Sequence, residues 1–373
     1  MSGKVVLLNG SLAESLINFR GPFIIDLLAL GHIVHVSAPD IDATIRHRLQ
    51  QMGAVVHEVL LARTGLNPIA DYAYYKAMRQ LIRDICPAMV IGYTVKPNIW
   101  GSLAARAEGV RSASMVTGLG YSFIARGSGP RVIVQKAVKW LYARATVGNW
   151  RVIFQNPDDL ADFVSAGCLK DVSKARLVNG SGVDLAHYPL KSLPAAPAFL
   201  LIARLLWTKG IREYCDAALI LKAKCPTAIV RLAGPADNGP DGIPASQIDI
   251  WEKAGIEYLG PLSDVRPALA QCSVYVLPSY REGTPRTVLE AMATGRAIIT
   301  TDVAGCRETT IDGLNGLVVA VQDTHSLAEA MAKLAMSPDK RKAMSMASRK
   351  LVEEKYAIEK VNWTLIDHLE LNK

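Results

Sequence analysis

Paired cysteines, membrane-length apolar runs and, over one long stretch, acidic residues are what this sequence lacks. Its six cysteines, at positions 86, 168, 215, 225, 272 and 306, are scattered, and none forms a C-x-x-C pair. They read as reduced, buried side chains of a cytoplasmic protein and offer no metal framework. No run of eighteen uncharged apolar residues occurs, which excludes a membrane-crossing helix. The opening M-S-G-K-V-V-L-L-N-G turns polar too soon for a signal peptide and reads as a first strand.

Acid is absent from residues 109–157, where seven basic residues stand: Arg111, Arg126, Arg131, Lys136, Lys139, Arg144 and Arg151. The net charge of +8 is therefore uneven: residues 1–184 carry 20 Lys/Arg against 13 Asp/Glu, the remainder 22 against 21. A basic first half suits nucleic acid, anionic lipid or a phosphorylated acceptor. No nucleic-acid-binding motif is present, so no nucleic-acid partner is assigned. In helical projection, Ile133, Val134, Ala137, Val138, Trp140 and Leu141 fall on one side of residues 131–144, and Arg131, Gln135, Lys136 and Lys139 on the other. Two readings stay open, a helix lying on an anionic leaflet and one packed on its own domain. The acid-free surroundings tip the balance to the leaflet.

A chain of 373 residues, half of them apolar, exceeds one ordinary core and predicts two domains. Short Val/Ile/Leu runs alternate with longer amphipathic stretches, the pattern of an α/β architecture with parallel sheets. Strands are expected at 4–8, 33–37, 54–58, 89–93 and 112–116, then at 198–203, 227–232, 256–259 and 274–277. Ligands gather outside the C-terminal ends of such strands. That directs attention to N-G-S-L-A-E-S-L-I-N-F-R-G-P-F after the first strand, T-V-K-P-N after the fourth and T-G-L-G-Y after the fifth. Asp40 and Asp42 form an Asp-x-Asp at the start of a polar helix, which reads as an N-cap and not as a cation site. Residues 179–198, with Gly, Ser and three prolines, read as the hinge between domains. Residues 323–355 are expected to be helical, and 356–371 a last helix.

The most informative stretch is 274–301, a strand, a turn, a helix and a strand. Thr284 is the expected N-cap, Pro285 the first helical residue and Gly295 the C-cap. The amides of Gly283 and Thr284, beside a helix N-terminus, suit a phosphate. Glu282 and Glu290 bracket that site. A vicinal diol can serve both oxygens of a carboxylate, so sugar and ribose hydroxyls are fitting partners for the two acids.

This spacing, with E-G-T-P before it and L-E-A-M-A-T-G after it, resembles the E-x7-E signature of the retaining nucleotide-sugar transferases of glycosyltransferase family 4. The resemblance implies the GT-B arrangement, two doubly wound Rossmann-like α/β domains facing across a cleft. Residues 1–187 would bind acceptor, 188–355 the nucleotide sugar, and 356–373 would cross back as a helix. It implies Glu290 on the ribose, Glu282 beside the donor sugar, and Arg204 and Lys209 on the donor diphosphate. Gly283, Thr284, Thr287, Val288, Gly234 and Leu262 would complete the donor side. Gly10, Ser11, Asn18, Arg20, Lys96, Thr117, Gly118 and Tyr121 would form the acceptor side, although Arg20 alone would equally be a surface arginine capping a carbonyl. T-V-K-P-N-I-W-G, T-G-L-G-Y, F-Q-N-P-D-D and V-N-G-S-G-V-D further resemble the bacterial capsule, exopolysaccharide and N-glycan transferases that act on polyprenyl-diphosphate-linked sugars. Many family members carry a histidine after the fifth strand. Thr117-Gly118 stands there instead, so no catalytic histidine is assigned.

The resulting expectation is retaining transfer of a hexose or N-acetylhexosamine from a nucleotide sugar, UDP-linked, to a polyprenyl-diphosphate-linked saccharide. It includes no metal and no cofactor, and a peripheral position at the inner face of the cytoplasmic membrane. A GT-B nucleotide-sugar epimerase and a non-catalytic sugar-nucleotide-binding scaffold are the competing classes.

Overall fold

The structure is a computed structural model and describes residues 3–62, 65, 67–120, 123 and 130–372. The backbone divides into two compact units, Met1–Ser181 with Lys360–Lys373, and Gly182–Glu359. In the first, seven parallel strands form one sheet: β1 (Val5–Asn9), β2 (Ile33–Ala38), β3 (Val55–Glu58), β4 (Met89–Tyr93), β5 (Arg111–Val116), β6 (Arg151–Phe154) and β7 (Ala175–Leu177). Their order is β3-β2-β1-β4-β5-β6-β7. In the second, β8 (Ala198–Ile202), β9 (Ile229–Ala233), β10 (Glu257–Tyr258), β11 (Val274–Leu277), β12 (Ala297–Thr301) and β13 (Gly316–Val319) run parallel in the order β10-β9-β8-β11-β12-β13. In each sheet the strand order thus reverses once, between β1 and β4 and between β8 and β11. At such a switch point the loops leave to opposite faces, and a crevice opens at the strand ends.

The strands form because their sequences suit burial on both faces. Every residue of β4, β8, β11 and β12 is buried, and such strands read as continuous apolar runs. Each fully buried Val, Leu or Ile contributes about 1.5–3 kcal/mol. Side-chain caps start several helices: Asp42 accepts from Ile45 N, Asn156 from Asp159 N and Asp323 from Ser326 N. Asp42 is therefore an N-cap, as its context predicted.

Several local expectations are corrected. Residues 13–18, read as loop, form a short helix (Ala13–Asn18). The helix after β4 opens with a π-helical turn, Pro97–Gly101. The stretch 323–355 is two helices, Thr324–Ala335 and Pro338–Lys355, because Pro338 cannot continue a helix and instead starts one. Helix Pro130–Thr146 does not divide into an apolar and a basic side. Val138, Tyr142 and Ala145 are buried, whereas Ile133 (71 % exposed), Val134 and Trp140 (58 % exposed) face outward with Lys136, Arg144 and Val147. The Arg144 guanidinium lies 4.9 Å from the Trp140 ring centre.

Helix Ile358–His368 and the residues after it complete the first unit. Leu365, Ile366, Leu369 and Leu371 join Phe23, Ile24, Leu27 and Val34 in one cluster. Asn362 donates to Asp26 at 2.7 Å, and Lys4 Nζ to the Glu370 carbonyl at 3.0 Å. His32 Nδ1 accepts from Lys4 N at 3.1 Å, so Nε2 carries the proton it donates to Leu371 O at 2.7 Å. We expect Leu369→Ala to destabilise the protein by about 2–5 kcal/mol, measured as a lowered urea midpoint with near-native far-UV circular dichroism before the transition.

Candidate active site

The switch point of the second unit brings a lysine and a glutamate together. After β8 the chain makes a 3-10 turn, Trp207–Lys209, ending at Gly210 with φ +70. A Cβ on Gly210 would stand 2.0 Å from the Pro278 carbonyl oxygen, so only glycine lets the loop close onto the end of β11. Tyr280 N donates to Thr208 O at 3.0 Å, and Trp207 N to Asp241 O at 2.9 Å. Held this way, Lys209 Nζ lies 2.6 Å from Glu282 Oε1, and Ser279 Oγ donates to the same oxygen at 2.6 Å. The two side chains are 23 % and 14 % exposed. Solvent still reaches the pair, so it is a modest source of stability. Behind it, a Cβ on Gly305 would stand 2.4 Å from the carbonyl oxygens of Glu282 and Gly283.

Glu290 sits eight positions on, in helix Arg286–Ala293. It is buried and takes a hydrogen bond from Arg286 Nε at 3.0 Å, with Tyr188 among its neighbours. Burial raises its pKa above the ordinary carboxylate value, outweighing the opposing pull of Arg286 and Tyr188. The helix ends correct the expected caps. Pro285 is the N-cap (ψ 106) and Arg286 the first helical residue, so Thr284 lies one step outside. Proline has no N–H to lose there. The C-cap is Thr294, and Gly295 (φ +77) follows it. Gly295 N reaches Met292 O at 3.0 Å and Arg296 N reaches Ala291 O at 2.9 Å, the paired bonds of a Schellman motif.

The other expected donor residues divide by what their side chains do. Arg204, 61 % exposed, pairs with Asp237 at 3.2 Å and makes no bond to Glu282. Gly234 (φ +138) allows β9 to approach β8, since a Cβ would stand 1.8 Å from Ala203 O. Leu262 and the wholly buried Val288 pack in the core. Thr287 lies beside Tyr275, whose hydroxyl donates to Ile202 O at 3.0 Å. Gly283 and Thr284 lie half-buried in the turn before the helix.

In the first unit the switch point gathers part of the expected acceptor set. Gly10 packs against Tyr93, and a Cβ there would stand 2.2 Å from the Tyr93 hydroxyl oxygen, so a larger residue would displace that ring. Thr94 Oγ1 donates to Ser11 Oγ at 2.8 Å. Thr94 has φ +71, a genuine outlier for a β-branched residue and the kind of strain found at functional sites. Arg20 is buried, not on the surface, with its guanidinium 5.2 Å from the Tyr93 ring centre. Lys96 is also buried, donating to Asp71 Oδ1 at 2.7 Å and to the Ala62 carbonyl. Asn18 is exposed at the end of its helix, and Thr117 and Gly118 (φ +135) are half-buried after β5. Tyr121 lies outside the described residues. Among the described residues, no three His, Cys, Asp or Glu side chains converge as a metal site. Thr94, Ser279, Tyr188 and Arg286 were not singled out in the sequence. Thr94 opens the T-V-K-P-N stretch, Arg286 lies within E-x7-E and Ser279 follows β11, so three of the four stood in or beside a visible motif, whereas Tyr188 did not.

A family model of glycosyl transferases group 1 matches residues 196–337, and a glycosyl transferase 4-like model matches residues 11–156. Together these two glycosyltransferase domains span most of the chain, which is a glycosyltransferase. This glycosyltransferase is 28 % identical over 335 residues, 86 % of each chain, to the N,N'-diacetylbacillosaminyl-diphospho-undecaprenol alpha-1,3-N-acetylgalactosaminyltransferase of Campylobacter jejuni. It is 25 % identical over 272 residues to the UDP-Gal:alpha-D-GlcNAc-diphosphoundecaprenol alpha-1,3-galactosyltransferase of Escherichia coli, covering 70 % of this chain and 68 % of that one. Its fold matches Anabaena HepE, solved in complex with UDP and glucose (TM-score 0.78, 15 % identity, 98 % of this chain and 99 % of that one). It also matches the sucrose-phosphate synthase of Thermosynechococcus elongatus (TM-score 0.81, 16 % identity, 98 % of both chains). The glycosyltransferase is thus a GT-B-type protein of two parallel-sheet Rossmann-like units.

The raised Glu290 pKa has a consequence for stability. The folded state holds this proton more tightly than the unfolded chain, so stability is lost as pH rises from the ordinary carboxylate range through the raised value. Glu290→Gln carries no such cost. We expect its melting temperature, relative to the parent, to be more favourable at about pH 7 than at about pH 4 by differential scanning fluorimetry. An unchanged difference across that range would contradict the assignment.

Proposed function

We propose that this glycosyltransferase moves a hexose or N-acetylhexosamine from a UDP-sugar to a polyprenyl-diphosphate-linked saccharide. Configuration is retained, no metal or other cofactor takes part, and the protein rests on an anionic membrane surface at the inner face of the cytoplasmic membrane. The observation that carries this reading is the Lys209–Glu282 pair, 2.6 Å apart at the second switch point. Cleaving a glycosyl diphosphate builds negative charge on the leaving group and positive charge at the anomeric carbon. An ammonium for the first and a carboxylate for the second then stand side by side, which is the preorganised electrostatic support such a transition state needs.

Arg204 adds a second cation. Its exposed pair with Asp237 is worth about 0.2–1 kcal/mol, whereas a hydrogen bond to a charged phosphate is worth about 1.5–3 kcal/mol. Exchange of Asp237 for the diphosphate is therefore favourable. The amides of Gly283 and Thr284 complete the anion site, and Glu290 takes the ribose diol. The curated relatives from C. jejuni and E. coli are both named for diphospho-undecaprenol-linked substrates, and the E. coli protein for a UDP-linked donor. They support the acceptor class and the nucleotide, and the first unit, with its hydroxyls at Ser11 and Thr94, is the acceptor side.

The test is UDP release from UDP-glucose, UDP-galactose and their N-acetylhexosamine counterparts, with and without undecaprenyl-diphosphate-linked N-acetylglucosamine. One donor should turn over in a lipid-dependent manner and in the presence of EDTA. Lys209→Ala should lower kcat by roughly a hundredfold with a smaller effect on UDP affinity. Epimerised free donor would indicate an epimerase, and binding without turnover a scaffold. EDTA inhibition reversed by a divalent ion would overturn metal independence.

The membrane contact rests on the outward face of helix Pro130–Thr146 and the residue after it, where Ile133, Trp140 and Val147 alternate with Lys136 and Arg144. Exposed aromatic and aliphatic side chains interleaved with basic ones suit the headgroup region of an anionic leaflet. Each basic residue near such a surface contributes about 1 kcal/mol. Ile133→Ser with Trp140→Ser should weaken binding to phosphatidylglycerol vesicles at all salt concentrations. Lys136→Glu with Arg144→Glu should remove the salt-sensitive part. Unchanged vesicle sedimentation in both double variants would rule this face out.

A further inference from the structure

Glu282 presents its two oxygens unequally. Oε1 accepts from the Lys209 ammonium and from the Ser279 hydroxyl, each at 2.6 Å. Among the described residues no donor reaches Oε2. The two donors on Oε1 differ in kind. Lys209 ends a flexible four-carbon stem. Ser279 is wholly buried, two residues past the end of β11, and its carbonyl accepts from the hydroxyl of Thr301, the last residue of the neighbouring β12. The residue before it, Pro278, is packed against Gly210. The serine hydroxyl therefore stands on backbone that both neighbouring loops hold in place.

We propose that Ser279 is a positioning residue for the transfer reaction, fixing the Glu282 carboxylate by Oε1 and so turning Oε2 toward the transferred sugar. This rests on the donor-site reading given above and deepens it. The need for a second donor follows from charge. Among the described residues Lys209 has one close anion, Glu282. When a diphosphate enters, the ammonium gains a more highly charged partner, and as the glycosyl bond breaks the phosphate charge grows and draws the lysine further. An ammonium has three N–H donors, so Lys209 can serve both anions at first. Its hold on Glu282 nevertheless weakens at the moment the carboxylate must face the developing positive charge. A neutral hydroxyl is not drawn to phosphate. Ser279 keeps the carboxylate orientation constant through the step.

The surroundings agree with this division of labour. The buried Cys306 thiol is pushed up to about 12 by burial and, secondly, by the Glu282 charge, so it remains neutral and brings no competing anion to the carboxylate. No covalent step is required of Ser279. Its hydroxyl, turned to Oε1 and without exposure to solvent, is not disposed as a nucleophile.

The experiment compares Ser279→Ala, Glu282→Gln and the double variant, using the turning-over UDP-sugar and undecaprenyl-diphosphate-linked N-acetylglucosamine. Ser279→Ala should lower kcat by about tenfold, the scale of one lost hydrogen bond to a charged group. Donor KM and UDP affinity should stay close to the parent values, because UDP lacks the sugar that Glu282 faces. In the Glu282→Gln background the serine change should cost almost nothing further, since Ser279 acts only through that carboxylate. Parent-like turnover in Ser279→Ala, beside a strongly impaired Glu282→Gln, would overturn the inference and leave the donor site standing. Losses that multiply in the double variant, or a parallel loss of UDP affinity, would also overturn it, because they mark a role in general folding. Parent-like turnover in Glu282→Gln would remove the donor-site reading itself, and this inference with it.

Discussion

A lysine ammonium held 2.6 Å from a glutamate carboxylate, at the place where the strand order of a parallel sheet reverses, is the constraint on which the second unit depends. Its Coulomb energy is modest, because water reaches both groups. Its value is placement. The lysine is aimed by a turn that closes only over a glycine, at Gly210, and the glutamate by a turn that closes only over another, at Gly305. Neither turn contributes much stability. That comes from β8, β11 and β12, which are buried along their whole length and fix where the loops begin. Rigid strands with adjustable loops at one edge are a general solution to placing charges accurately.

The first unit meets the same topological problem with different means. Its reversal point carries a threonine in a left-handed conformation, a π-helical turn and a lysine buried against Asp71. Each is costly. Burying an ion pair removes both groups from water, and the attraction between them rarely returns more than that cost. The left-handed threonine adds about 1–3 kcal/mol. Costs of this kind concentrate where local preference yields to function. Here the three stand together in the residues that directly follow β4.

Much of this arrangement could be read from the residues. Met89–Tyr93 and Val274–Leu277 are strands with the expected bounds, because apolar runs of that length between turn residues have few other uses. Glu282, Glu290 and Lys209 were singled out because they stand in short, ordered motifs that follow strand ends. What escaped was set by contacts distant in sequence or by backbone geometry with no compositional mark. Tyr188 meets Glu290 from 102 positions away, and nothing near either residue announces the other. Lys96 looked available until the fold supplied Asp71. The π-helical turn leaves no periodic signal within five residues. The helix at Pro130–Thr146 was recognised as a helix, but projection shows only which residues share a side, and its tertiary neighbours decide which side is covered. The displaced N-cap at Pro285 is a one-residue matter, within the range over which helix ends vary.

The return of residues 360–373 to the first unit sets the order in which the protein matures on the ribosome. Residues 182–359 emerge as one continuous piece and can consolidate as soon as they clear the exit tunnel. The first unit, although translated earlier, keeps an open groove beside Phe23 and Leu27 until Leu365, Ile366, Leu369 and Leu371 are delivered. The half made first is therefore finished last, and the nascent chain carries that apolar groove throughout synthesis of the second half, an interval in which chaperone shielding has its greatest value.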